Sequence, residues 1–101
     1  MSEDAVMRPT NIVVVGVKPT MNYVVACLTL FNAGAHEVRV RARGRHISKA
    51  VDIVEMLRRV FLKDIVLADV SLGTEILTDR SGRDSSVSTI GIKLAKPGYP
   101  V

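Results

Sequence analysis

Arginine occupies every second position from Arg39 to Arg45, in the sequence Arg-Val-Arg-Ala-Arg-Gly-Arg. Guanidinium groups stay charged and bind phosphate through paired hydrogen bonds, so a row of them suits a polyanion better than a small substrate. A period of two is that of a β-strand, whose side chains point alternately to opposite faces. The pattern therefore predicts a strand with one apolar face and one arginine face. These two faces would carry Val38, Val40 and Ala42, and Arg39, Arg41 and Arg43, respectively.

The end of this strand is predicted to meet a second basic segment. Gly44 is interpreted as a flexible joint that lets its neighbours approach a phosphate backbone closely. Lys18 lies in the turn Gly16-Val17-Lys18-Pro19, between an apolar run and the start of a helical pattern. Because the ends of parallel strands lie at the same edge of a sheet, Lys18, Arg43 and Arg45 should converge on phosphate. The alternatives are an ordinary turn with a solvated lysine, and a solvated arginine face that prevents edge pairing.

A third basic group, Arg80 and Arg83, lies in a polar segment at 79–85 that predicts a turn between two long strands. The preceding strand would reach ~45 Å at about 3.3 Å per residue, which exceeds the diameter of a domain of this size. We therefore expect a projecting hairpin arm whose arginines can enter a minor groove. The alternative is a soluble turn whose arginines are partly neutralised by Asp79 and Asp84.

Periodicity along the chain predicts the order β-α-β-α-β-β. Right-handed helical crossovers that join parallel neighbouring strands would give an α/β two-layer sandwich, with the last pair antiparallel. The predicted elements span 11–15, 21–32, 36–43, 46–62, 65–78 and 87–96. The run at 11–15 is continuously apolar, which is typical of a buried strand. Gly73, inside the third strand, predicts a bulge or a bend.

The two helices differ in the width of their apolar faces. The first has apolar residues at helical spacing: Met21, Val24, Val25, Leu28 and Phe31. The second has a main stripe and a second set: Ile47, Val51, Val54, Leu57 and Phe61, and Ile53, Met56 and Val60. One sheet does not easily cover so wide an arc. The helix therefore either meets another subunit or fills a deeper groove of the same chain.

No group of residues predicts catalysis, a metal site or a cofactor. His36 and His46 lack the Cys or carboxylate spacing of a metal site, and no P-loop or nucleophile motif occurs. Asp52 and Glu55 are more simply explained as a solvated helix face than as an acid–base pair. The single cysteine, Cys27, excludes an internal disulfide and is interpreted as a buried hydrophobic residue.

Composition favours one globular domain at 1–101, with short tails at 1–10 and 97–101. The chain has 101 residues, of which 48% are hydrophobic and 24% charged, and a net charge of +4. Residues 36–63 carry eight Lys/Arg and three acidic residues, whereas residues 64–79 carry four acidic residues and no base. Such segregation favours a directional anionic partner. No apolar run approaches the ~20 residues of a membrane span, and no signal peptide is evident, so we expect a cytoplasmic protein.

Three segments closely resemble the Alba family of archaeal chromatin proteins. They are Gly-Val-Lys-Pro-Thr-Met-Asn-Tyr-Val at 16–24, Ala-Arg-Gly-Arg-His-Ile-Ser-Lys-Ala-Val-Asp at 42–52 and Val-Ser-Thr-Ile at 87–90. They occur in the order and spacing of the family, and the resemblance covers 11–96. It implies a dimer with a fold like the C-terminal domain of translation initiation factor 3, and binding to double-stranded DNA and to RNA without sequence preference.

The resemblance also implies roles for residues near the start of each helix. In the family, the lysine of the Gly-x-Lys-Pro turn contacts the nucleic-acid backbone, which points to Lys18. The tyrosine after Met-Asn lies near the nucleic acid, which points to Tyr23. The Arg-Gly-Arg segment makes contacts, which points to Arg43, Gly44 and Arg45.

Further implied roles concern the arm and the surface of the second helix. The hairpin arms follow the minor groove, which points to Arg80 and Arg83. A phenylalanine late in the second helix packs dimer against dimer along DNA, which points to Phe61. Many relatives have Gly-Lys-Lys-Pro in the turn, with the first lysine a target of acetylation. Because Val17 replaces that lysine here, Lys18 is the acetylation candidate left in the turn.

The leading hypothesis is a homodimer that coats, compacts or bridges archaeal DNA and also binds RNA. The alternative is an RNA-binding subunit of a ribonucleoprotein, because the same phosphate contacts serve A-form helices. The implied partners are double-stranded DNA, RNA and a second copy of the chain or a paralogue, with contacts between dimers on DNA. We expect the protein in the cytoplasm, associated with the chromosome and not with a membrane.

Overall fold

The computed structural model describes residues 11–98, so the predicted tail at 1–10 and residues 99–101 lie outside it. The strands are β1 (Ile12–Val14), β2 (Glu37–Arg43), β3 (Val66–Thr78) and β4 (Asp84–Ala95). The helices are α1 (Thr20–Asn32) and α2 (Ile47–Met56), which is preceded by a 3₁₀ turn (Gly44–His46) and continued by a π-helical segment (Leu57–Phe61). This order confirms the predicted α/β architecture.

The four strands form one sheet in the order β1-β2-β4-β3. β1 and β2 are parallel, with Val13 opposite Val40, whereas β4 is antiparallel to both β2 and β3. The expectation that parallel neighbours would be joined by both helical crossovers is therefore wrong for the second one. β4 occupies the position between β2 and β3, because the chain turns back from β3 as a hairpin into the space left beside β2.

The arginine strand has the predicted alternation. Val38, Val40 and Ala42 are buried in the core that both helices cover, and Arg39, Arg41 and Arg43 are exposed on the opposite face of the sheet. Each fully buried valine or leucine stabilises the fold by about 1.5–3 kcal/mol relative to exposure. The apolar half of the strand thus fixes which way its arginines point.

β1 is an edge strand rather than the strand buried on both faces that its apolar run predicts. Val13 and Val15 are buried, but Val14 remains 69% exposed. The helices cover only one face of the sheet, so the other face of β1 stays open even though it is apolar. A continuous apolar run in a short strand therefore does not establish burial on both faces.

The first helix buries a narrower face than predicted. Val24, Cys27 and Phe31 are buried, whereas Met21 and Val25 are exposed. The prediction that Cys27 is a buried hydrophobic residue is confirmed, and burial raises the pKa of its thiol to about 11.

The second helix divides its wide apolar arc between core and surface. Ala50, Ile53, Val54 and Leu57 are buried, whereas Val60 is 58% exposed and Phe61 43% exposed. The N–H of Leu62 donates to the carbonyl of Leu57, an i to i+5 bond of 2.7 Å. This π-helical closure departs from the 3.6-residue period and leaves the last two apolar positions on the surface.

The predicted projecting hairpin is confirmed. β2 pairs only with the Thr89–Ala95 part of β4, so residues 74–78 and 84–88 extend past the end of β2 as a two-stranded ribbon. We call residues 74–88 the arm, which extends about 16 Å at about 3.3 Å per residue. Its turn is shorter than the predicted 79–85, because Asp84 already pairs with Thr78.

The predicted irregularity at Gly73 is wrong. The bulge in β3 lies between Leu67 and Asp69, and Gly73 sits in regular register opposite Thr89. A Cβ atom at Gly73 would lie 3.0 Å from the Thr89 hydroxyl oxygen. A larger residue at this position would require the Thr89 side chain to shift, so the glycine reflects the close approach of a neighbouring side chain rather than a bend.

Candidate nucleic-acid interface

The turn that carries Lys18 is held from one side by Tyr23. The Tyr23 hydroxyl oxygen accepts hydrogen bonds from the N–H groups of Gly16, at 2.9 Å, and Lys18, at 3.1 Å. Tyr23 lies in the first turn of α1, from where its ring reaches back beneath the turn. It contributes to the site by fixing the backbone, and its predicted contact with nucleic acid stays a prediction.

Lys49 holds the same turn from the other side. Its ammonium group donates hydrogen bonds to the carbonyl oxygens of Gly16 and Lys18, both at 2.8 Å, and lies 5.9 Å from the centroid of the Tyr23 ring. Sequence reasoning did not identify Lys49 as a site residue. It occurs in the Arg-Gly-Arg-His-Ile-Ser-Lys segment of the resemblance, but nothing local shows that it contacts a turn more than 30 residues earlier.

These contacts change the chemistry expected of the turn. Since the amides of Gly16 and Lys18 donate to Tyr23, they are not available to a phosphate. No side chain caps the start of α1 at Pro19, so the partial positive charge of the helix end remains directed at this edge. Attraction for an anion therefore comes from the exposed Lys18 side chain, the Lys49 ammonium and the helix end.

The ends of the two parallel strands lie side by side, whereas the convergence of Lys18, Arg43 and Arg45 on phosphate stays a prediction. The N–H of Val15 donates to the carbonyl of Arg41 at 2.8 Å, and Gly16, Arg43 and His46 line one open cleft of about 820 Å³. Arg45 is exposed in the adjoining 3₁₀ turn. The turn and the strand-end arginines thus lie at one edge of the sheet.

Gly44 lies at the sharp turn between β2 and α2, and its interpretation as a flexible joint stays a prediction. Its φ of +57° lies in the left-handed region, and it begins the 3₁₀ turn that leads into α2. A Cβ atom there would lie 3.4 Å from a methyl carbon of Val87. The glycine allows the chain to turn sharply between Arg43 and Arg45.

The arginine row is not uniformly available to an anion. Arg43 forms an ion pair with Glu75 at 2.7 Å, and Arg39 forms one with Glu37 at 3.4 Å. Within residues 11–98, Arg41 and Arg45 form no ion pair. Carboxylates on β2 and β3 therefore divide the row into partnered and unpartnered arginines.

His46, at the cleft, has a pKa below its usual value. Desolvation is the largest cause, followed by the positive charges of Arg45 and Lys49. The lowered pKa favours the neutral form of the His46 imidazole. The basic character of this edge at neutral pH therefore comes from lysine and arginine.

At the tip of the arm, the aspartates stabilise the turn instead of pairing with the arginines. An Asp79 carboxylate oxygen accepts hydrogen bonds from the Ser81 hydroxyl and from the N–H groups of Ser81 and Arg83, and Asp84 accepts one from Thr78. These bonds lower the pKa of Asp79, the Ser81 hydroxyl having the largest effect. Neither Arg80 nor Arg83 forms an ion pair in the described part of the chain.

Among the described residues, apolar side chains remain exposed on β3 and at the end of the π-helical segment. Strand β3, at the edge of the sheet, exposes apolar residues on the helix side: Val70, Leu72 and Ile76. Val60 and Phe61 are exposed at the end of the π-helical segment. No described helix is long and apolar enough to cross a membrane, and residues 11–98 contain no cluster of side chains suited to a metal ion.

Comparison with known proteins gives consistent matches. The Alba family model matches residues 11–72. The DNA/RNA-binding protein Alba of Methanothrix thermoacetophila is 52% identical over 91 residues, which are 89% of this chain and 100% of the relative.

Solved structures are similar over most of the chain. Alba from Thermoplasma volcanium superposes with a TM-score of 0.80 at 46% identity, covering 84% of this chain and 99% of that one. The crystal structure of ALBA1 from Trypanosoma brucei gives a TM-score of 0.71 at 31% identity, covering 88% of this chain and 71% of that one.

Proposed function

The chain belongs to the Alba family, and we propose that it binds double-stranded DNA and RNA through their phosphates, without reading base sequence. As a homodimer it coats, compacts or bridges archaeal DNA. Its similarity to a DNA/RNA-binding relative supports nucleic acid as the ligand. The prediction that the chain is not an enzyme is confirmed by its family.

One observation carries the proposal. The Gly16–Lys18 turn, which Lys49 holds by hydrogen bonds to its carbonyl groups, lies at the same edge of the sheet as the strand-end arginines. Lys18 and Arg45 are exposed there and form no ion pair within residues 11–98. Cations on a rigid edge neutralise phosphates and release condensed counterions, an effect that does not depend on sequence.

The arm adds a second region of contact. Arg80 and Arg83 lie at its tip, beyond the last residue pair that β4 makes with β2. A narrow two-stranded ribbon fits a groove, where arginine responds to groove width and potential more than to base identity. We propose that the arm follows the minor groove while the sheet edge contacts the adjacent backbone.

A second copy of the chain is the proposed occupant of the open face of β3. Val70, Leu72 and Ile76 form an apolar row on an edge strand, and Leu72 is 78% exposed. Covering such a row removes apolar surface from water, and a twofold pairing lets the same row serve both subunits. A paralogue with a similar edge would form a heterodimer in the same way.

Three further proposals concern the packing of dimers on DNA, acetylation and the location of the protein in the cell. Phe61 and Val60 are positioned to pack one dimer against the next, because they are exposed apolar neighbours on a helix end. Acetylation of Lys18 would remove a charge from the interface and weaken binding. In the cell, we place the protein in the cytoplasm on the chromosome.

The proposal is tested by fluorescence anisotropy with several duplexes of equal length and unrelated sequence, at one salt concentration. We expect affinities that agree within about threefold, because phosphate contacts carry no direct sequence information. A preference of about a hundredfold for one duplex would contradict non-specific binding. Competition by structured RNA at matched salt then separates a DNA-coating protein from an RNA-binding subunit: a large preference for RNA would favour the second.

A further inference from the structure

In the free protein, Glu75 forms an ion pair with Arg43, one of the residues proposed to bind phosphate. Its carboxylate oxygen accepts a hydrogen bond of 2.7 Å from the Arg43 guanidinium, and both side chains are about half exposed. Arg43 is the last residue of β2, whereas Glu75 belongs to the base of the arm. The pair therefore links the two proposed contact regions across 32 positions of sequence.

The register of the sheet explains why this pair forms. Arg43 pairs with Thr89 of β4, and Thr89 pairs with Gly73 of β3. Gly73 has no side chain, so nothing at that position stands between the guanidinium and Glu75, which follows two residues later on the same face. The absence of a side chain at Gly73 thus leaves space for the Arg43 guanidinium to reach the Glu75 carboxylate.

We propose that Glu75 is a competitor for Arg43 within the site, occupying the guanidinium that a nucleic-acid phosphate must take over on binding. This inference rests on the proposed function, and it identifies Glu75 as a residue that lowers the affinity for nucleic acid. Glu75 accepts a hydrogen bond from Nη1 of Arg43, so a phosphate that binds this side of the guanidinium through paired hydrogen bonds needs the donor group that Glu75 occupies. Binding exchanges one anionic partner of Arg43 for another.

This exchange has a thermodynamic signature that a simple phosphate contact lacks. When phosphate displaces Glu75, the released carboxylate lies near other phosphates and takes up a cation from solution. That uptake offsets part of the counterion release that Arg43 would otherwise cause. Removing the carboxylate should therefore strengthen binding and also steepen its dependence on salt.

Asp69 provides a matched control. It lies on the same strand and the same face of the sheet as Glu75, is exposed, and forms no ion pair within residues 11–98. Asp69→Asn removes the same unit charge as Glu75→Gln without changing the partner of Arg43. A general effect of net charge would act through both substitutions, whereas displacement acts only through Glu75.

The experiment measures duplex DNA binding by anisotropy over a several-fold range of KCl concentration. It compares wild type, Glu75→Gln, Asp69→Asn, Arg43→Gln and the double variant Glu75→Gln/Arg43→Gln. We expect Glu75→Gln to bind about two- to fivefold more tightly, the range of an exposed ion pair. Its log–log salt slope should be steeper by up to about 0.9. Asp69→Asn should change affinity less, and the gain from Glu75→Gln should disappear when Arg43 is absent.

Four results would overturn the inference. Equal gains from Glu75→Gln and Asp69→Asn, or a gain that persists without Arg43, would mean that Glu75 acts only through net charge. Unchanged binding by Glu75→Gln, while Arg43→Gln weakens binding, would remove the competitor but leave the proposed function intact. Absence of salt-dependent binding by the wild type would overturn the proposed function and the inference together.

Discussion

The ammonium group of Lys49 lies 2.8 Å from the carbonyl oxygen of Lys18, and the hydroxyl of Tyr23 accepts a hydrogen bond from the N–H of the same residue. Side chains from both helices thus hold one residue of a surface turn by its backbone. The Lys18 side chain makes no ion pair within residues 11–98. Because the backbone of Lys18 is already held in place, contact of its exposed ammonium group with phosphate loses little conformational entropy.

Lys49→Met is expected to loosen this turn. Loss of hydrogen bonds from a charged donor should lower the free energy of unfolding by about 1–2 kcal/mol, measured by chemical denaturation. Duplex DNA binding should weaken as well, because Lys18 is no longer held in place. Lys63→Met, which removes an exposed lysine beyond the end of α2, should change neither quantity by much.

Lys49→Arg separates positioning from charge. It keeps the charge, but a planar guanidinium does not reproduce the approach of one ammonium group to two carbonyl oxygens. We expect hydrogen exchange at the amides of Gly16 and Lys18 to become faster and DNA binding to weaken. Wild-type affinity in Lys49→Arg would mean that Lys49 contributes only its charge.

The two arginines at the tip of the arm should each contribute to the binding of duplex DNA. Arg80→Gln/Arg83→Gln is expected to weaken binding to all duplexes alike and to reduce the salt slope by about 0.9 for each phosphate that the arm no longer neutralises. Lys63→Gln, at the opposite end of β3 from the arm, serves as the control. An unchanged slope in the double variant would show that the arm does not contact phosphate.

The turn at the tip of the arm should depend on pH through Asp79. Its folded-state pKa is lowered from 3.8, so its stabilising effect is complete above the unfolded value. That effect is lost as the pH falls through the lower folded pKa. NMR titration should show the Ser81 and Arg83 amides shifting together below pH 3.8, and Asp79→Asn should abolish the shift. A midpoint above 3.8 would contradict the hydrogen-bonded turn.

The proposed dimer can be tested without affecting the basic edge. Val70→Glu places a charge on the open apolar face of β3 and should convert dimers to monomers in sedimentation experiments. Val25→Glu changes a similarly exposed valine of α1 and should leave the dimer intact. Dimers that persist in Val70→Glu would exclude this face as the subunit contact.

Local patterns predicted the parts of the fold that depend on period and length. The alternation of Val38 and Val40 with the arginines predicted which face of β2 is open, because a strand has a fixed period of two. The long third and fourth strands predicted the arm. The first helix was placed correctly, although Val25 proved exposed because spacing alone does not show how much of a face is covered.

Individual side-chain contacts between residues distant in sequence could not be predicted. The position of β4 between β2 and β3 depends on how the hairpin packs, and it brings Glu75 to Arg43. The reach of Lys49 to Gly16 depends on the angle between α2 and the sheet. The two contacts that most change the description of the site, that of Lys49 with the Gly16–Lys18 turn and that of Glu75 with Arg43, are therefore tertiary.

The salt dependence of duplex binding for wild type and Lys18→Gln tests the central claim most directly. The wild type should give a straight log–log plot of affinity against salt for every sequence. Lys18→Gln should lower the affinity equally for all sequences and reduce the slope by about 0.9, the value for one phosphate. An affinity insensitive to salt, or a loss confined to one sequence, would contradict binding through phosphates at this edge of the sheet.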